Sequence, residues 1–145
     1  MAKGALVDSL VKAGETLVER LDEAGLSPNA ALWLYRSETD DWALVLATKE
    51  AQEHGVRAAY AQIQPVFRKY ESDLKPLKFD DITAVSADEA IILAIGKLIH
   101  AGPGLSTIRL TNNYVDNFLI DDALVYRLLS PDETGGSEQK RTGAA

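Results

Sequence analysis

The stretch from Ala31 to Thr48, Ala-Leu-Trp-Leu-Tyr-Arg-Ser-Glu-Thr-Asp-Asp-Trp-Ala-Leu-Val-Leu-Ala-Thr, constrains this chain more than any other. Two short apolar runs flank the polar loop Ser37 to Asp41, the pattern of a β-hairpin. Neither run alternates cleanly between apolar and polar. In the first, Ala31, Trp33 and Tyr35 share one face and Leu32 and Leu34 the other. In the second, Trp42, Leu44 and Leu46 oppose Ala43, Val45 and Ala47. Strands apolar on both faces need cover on both, so the hairpin is expected in the middle of the fold.

The rest of the chain supplies that cover. Residues 5–24 carry Val7, Leu10, Val11, Gly14, Leu17, Val18 and Leu21 at three- and four-residue spacing, one stripe of a helix that Gly25 ends. A second helix begins near Gly55 with the stripe Val56, Tyr60, Ile63, Phe67 and Tyr70. Pro65 inside it predicts a kink or two stacked short helices. Residues 71–80 read as a loop and Ile82 to Val85 as a short strand. Ser86-Ala87-Asp88-Glu89 has the spacing of a capping box, predicting a third helix to about His100, largely buried, with Gly102-Pro103-Gly104 as its stop. A meander of three strands follows, Thr107 to Leu110, Val115 to Ile120 and Ala123 to Leu129, with turns at Asn112-Asn113 and Asp121-Asp122.

This order predicts an α+β fold: a single domain over residues 1–129, with a mixed, mainly antiparallel sheet of five or six strands and three packed helices. Residues 130–145 can bury little and are expected to form a disordered tail. In element order the chain resembles the GAF and related sensor domains, which also open with a helix and an apolar hairpin and close with antiparallel strands. That resemblance implies a small-molecule-sensing domain. Such a module needs a pocket enclosed between the sheet and the second and third helices.

Composition excludes several chemistries. There is no cysteine, hence no disulfide, thiolate metal site or cysteine nucleophile. The start, Met1-Ala2-Lys3-Gly4, leads into a charged amphipathic segment rather than a signal peptide, and no run approaches the roughly 20 apolar residues of a membrane span. A cytoplasmic protein is expected. The net charge of −7 opposes nucleic-acid binding, which depends on phosphate neutralisation. The one locally basic segment, Arg68, Lys69, Lys75 and Lys78, is interrupted by Glu71 and Asp73 and reads as a solvated helix end and loop.

Candidate sites are few. The pairs Asp40-Asp41, Asp80-Asp81 and Asp121-Asp122 each precede an expected strand, and converging carboxylates would bind Mg²⁺ or Mn²⁺. Aspartate is also a favoured turn residue, and the two strands of a hairpin start at opposite ends of a sheet. His54 reads as a solvated loop residue and His100 as part of the last turn of the third helix, so no zinc set is expected. No serine-nucleophile motif occurs. The aromatic residues are the binding candidates: Trp33, Tyr35 and Trp42 on the hairpin, and Tyr114, Phe118 and Tyr126 on the closing strands, as an interface or pocket. The reading is a non-catalytic, acidic, cytoplasmic module with no cofactor or metal. It binds a protein partner, with a second copy of itself as a candidate for a homodimer, and neither nucleic acid nor a membrane. The alternatives are a GAF-like sensor and a metal-dependent phosphodiesterase or nuclease using clustered aspartates.

Overall fold

A computed structural model describes residues 6–102 and 104–129, so the expected tail at 130–145 lies outside the described residues. The fold is α+β and single-domain, with five helices and one five-stranded mixed sheet among the described residues. The elements are α1 (Asp8–Glu23), β1 (Ala30–Arg36), β2 (Asp41–Thr48), α2 (Lys49–His54), α3 (Val56–Lys69), α4 (Glu71–Leu74), β3 (Ile82–Ser86), α5 (Ala90–Gly96), β4 (Ile108–Val115) and β5 (Phe118–Leu128). A 3-10 turn at Phe79–Asp81 leads into β3.

The strand order is β3-β2-β1-β5-β4, antiparallel throughout except for the parallel pair β2 and β3. The hairpin therefore does lie in the middle, and its two apolar faces explain why. Ala31, Trp33, Leu44 and Leu46 pack under α1 and α3, through Leu17, Val18, Leu21, Ile63 and Phe67. Leu32, Ala43, Val45 and Ala47 pack on the other side with Ile92 and Ile95 of α5. Each large apolar side chain taken out of water there stabilises the fold by about 1.5–3 kcal/mol.

Several local expectations are corrected. The break in the second helical region falls at Gly55, whose φ of 94° separates α2 from α3, while α3 runs through Pro65 as one element with the proline exposed. The capping box does not form: Ser86 is held in the sheet opposite Thr48, its hydroxyl bonds to Asp88, and α5 starts at Ala90 with no side-chain cap. That helix also ends early, at Gly96, because Ala101 is drawn into backbone pairing with Leu128; His100 thus lies beyond the helix. Only Ile92, Ala94 and Ile95 of α5 are fully buried, and Leu93 and Leu98 are exposed.

The closing meander is one hairpin rather than three strands. Its turn is Asp116-Asn117, both left-handed, as a two-residue hairpin turn requires. Asn112, also left-handed, lies within β4 without ending it, and Asp121-Asp122 lies within β5. The 71–80 segment is not wholly a loop, since α4 and the 3-10 turn bring Leu74 and Leu77 into the core.

Candidate binding surface

Alternation along the strands sorts the candidate residues by face. Trp33 is 1% exposed beneath α1, where its indole Nε1–H donates to the Tyr126 hydroxyl at 2.9 Å. Tyr126 is equally buried and donates in turn to the Val11 carbonyl. Burial pushes the Tyr126 hydroxyl pKa up, partly offset by the Trp33 N–H, with the charge of Glu15 raising it further. These two aromatics are core. Their burial corrects their place in a surface patch. Phe118 packs half-buried into the opposite cluster, so the expected grouping of Tyr114, Phe118 and Tyr126 does not form.

Beyond the helices, the same face as Trp33 continues towards the hairpin tip. Tyr35 and Trp42 are register partners and both half-buried, with ring centroids 5.6 Å apart. Arg109 of β4 lies 5.7 Å from the Trp42 ring and holds Asp122 through two bonds of 2.6 and 2.8 Å. The Tyr35 hydroxyl donates to Asp40 at 2.6 Å, and that bond pushes its pKa up to about 12, with burial and the charges of Asp40, Asp121 and Asp41 adding to it. Arg36 pairs with Asp41 and, with the Thr39 hydroxyl, holds the Asp41 carboxyl below the usual range.

The three aspartate pairs do gather at one end of the sheet. Asp41 opens β2 opposite Arg36, Asp80-Asp81 precedes Ile82 beside Leu44, and Asp121-Asp122, inside β5, precedes Ala123 beside Leu34, so all three pairs lie towards the hairpin-tip end of β1. The expectation of divergent ends considered only neighbouring hairpin strands. Yet each pair is engaged locally: Asp40 by Tyr35, Asp41 by Arg36, Asp81 by the Lys78 backbone N–H, and Asp122 by Arg109. Among the described residues no three acidic or histidine side chains are placed to hold a metal ion. His54 is exposed and pairs with Glu50 at 3.1 Å.

At the far side of the sheet stand the most exposed large apolar residues. Phe118 and Ile120 of β5 pack into the α5-side cluster, so Leu119 between them faces away from it. Leu119 is 65% exposed and its register partner Tyr114 69%. The two edges of the sheet differ as well. At β3, the Ala84 N–H donates to the Tyr60 hydroxyl of α3 at 3.0 Å, so the helix covers that edge. At β4, the only strand partner among the described residues is β5. Sequence reasoning named Tyr114 and missed Leu119; the alternation of Phe118, Leu119 and Ile120 was the signal available.

The second and third helical regions lie on opposite faces of the sheet, α3 with one cluster and α5 with the other. No pocket can therefore be enclosed between the sheet and both of them. No helix among the described residues is long and apolar enough to cross a membrane. Comparisons with protein-family models, curated proteins and solved structures give no match, so the surface is read from its own geometry.

Proposed function

We infer that the chain is a non-catalytic protein-binding module that acts by self-association, through the open edge of β4 and the adjoining Tyr114–Leu119 pair. The exposed cross-strand pair beside an edge strand that has no second strand partner among the described residues carries this reading. A strand edge offers a row of unmade backbone hydrogen bonds, and natural sheets normally blunt it, as Tyr60 does at β3. Antiparallel pairing of two β4 edges about a two-fold axis would satisfy those groups and remove Tyr114 and Leu119 from water. Tyr35 and Trp42, with Arg109 over the Trp42 ring, add aromatic surface beside that interface.

Sedimentation equilibrium across the micromolar range tests the reading. A monomer–dimer equilibrium is expected, shifted towards monomer by Leu119→Glu combined with Tyr114→Ser, with the thermal midpoint at high dilution unchanged. A wild-type chain that stays monomeric at every concentration overturns self-association.

A further inference from the structure

α3 and the chain that follows it build a cleft at the β3 side of the sheet, remote from β4. Its floor is apolar: Phe67 of α3, Pro76 and Leu77 after α4, and Phe79 of the 3-10 turn. Phe67 and Phe79 meet edge to face with centroids 5.6 Å apart. Its rim carries Arg68, Lys75 and Lys78 against one carboxylate, Glu71. The volume is about 830 Å³, within the roughly 300–1,000 Å³ of sites that take small organic ligands.

What distinguishes this rim is the gathering of its charges. Arg36, Lys97, Arg109 and Arg127 each meet a carboxylate. Among the described residues Arg68, Lys75 and Lys78 form no ion pair. Lys12, Lys49, Arg57 and Lys69 also form no ion pair among the described residues, but none of them lines this cleft. Three unpaired cations thus converge on one apolar floor in a chain of net charge −7. A neutral apolar molecule would leave the cations unanswered, and a bare inorganic anion would leave the floor in water. A ligand with both features answers both.

We propose that this cleft binds a small amphiphilic acid, its aromatic or acyl body seated on Phe67, Leu77 and Phe79 and its acidic group held among Arg68, Lys75 and Lys78. The guanidinium of Arg68 supplies a planar two-pronged donor, and the two lysines supply mobile point charges on either side of Pro76.

Fluorescence titration of the full chain tests this, with anilinonaphthalene sulfonate as the acidic probe and uncharged N-phenylnaphthylamine as its counterpart. Saturable binding of one sulfonate per chain is expected, roughly tenfold or more tighter than the uncharged probe. Lys75→Glu with Lys78→Glu lowers the sulfonate affinity at least about tenfold while leaving the thermal midpoint in place. Arg68→Gln lowers it less, and provides the readout should the double variant fail to fold. Equal affinity for the two probes, undiminished affinity in the variants, or no saturable binding overturns the proposal. So does displacement of the probe by an acidic apolar peptide but not by dodecanoate or indole acetate, which would make the occupant a protein segment. None of these outcomes depends on the oligomeric state.

Discussion

At Gly14 a hydrogen stands where any other residue would place a Cβ 2.6 Å from the Tyr126 hydroxyl oxygen and 2.9 Å from Trp33 Nε1. In an exposed helix interior, glycine to alanine stabilises by about 1 kcal/mol. Here the sign reverses. Gly14→Ala must push α1 off the sheet or break the Trp33–Tyr126 bond, and should cost roughly 1–3 kcal/mol, read as a lower urea midpoint. Tyr35 makes a second prediction at this scale. Its hydroxyl ionises at 10.0 in the absence of neighbours and at about 12 beside Asp40 in the folded chain. The folded state therefore keeps a proton that the unfolded state has lost between those values. The stability from this bond is whole below the lower value and disappears as the pH rises to the upper one. The tyrosinate absorbance of the wild type minus that of Tyr35→Phe should show one component near the upper value, and Asp40→Asn should move it down. A difference component already complete near pH 10 would contradict the assignment. Gly14 was visible in the sequence as a member of the α1 apolar stripe, but its reason was not, because Tyr126 lies far along the chain.

Among the elements, α1 is tied to β5 by a charge as well as by packing. The Arg127 side chain is 3% exposed and bonds Asp22 at 3.0 and 2.7 Å and the Pro28 carbonyl at 3.2 Å. Removing one partner of a buried pair strands the other, typically at a cost of about 3–5 kcal/mol. Asp22→Ala should approach about 3 kcal/mol in chemical denaturation, since Asp22 itself is partly solvated. Arg127→Met, which removes the charge and keeps most of the volume, should cost less; the reverse order would refute this account. Element existence was legible wherever the periodicity was strong, as in α1, β1, β2 and α3. The closing strands were misread for a specific reason. Asp121-Asp122 looks like a turn because aspartate usually solvates itself there. In this chain Asp122 lies inside a strand, held by Arg109 across the ladder, a partner that no local pattern reveals. Asn112-Asn113 misled in the same way, since β4 accommodates one left-handed asparagine without ending.

For the whole molecule, the double-sided hairpin correctly implied a sheet covered on both faces. The distribution of that cover was hidden. Nothing local shows that α3 packs on one face and α5 on the other, which removes the pocket a sensor of the expected form would need. Nor does spacing show that Arg68, Lys75 and Lys78 line one cleft with Phe67 and Phe79, which depends on the turn that the Leu77 N–H closes on the Leu74 carbonyl at 2.8 Å. The charges of the segment are exposed, and their convergence belongs to the tertiary fold. β1 sits at the centre of the sheet, yet one of its neighbours is β5, and the Trp33–Tyr126 bond joins residues 93 positions apart. At about 5–20 residues per second of synthesis, β1 waits roughly 5–20 seconds for that neighbour. During that interval an apolar strand destined for the interior has one side open to every other nascent chain and chaperone nearby. β1 therefore gains its second neighbour only after Leu128 has been synthesised.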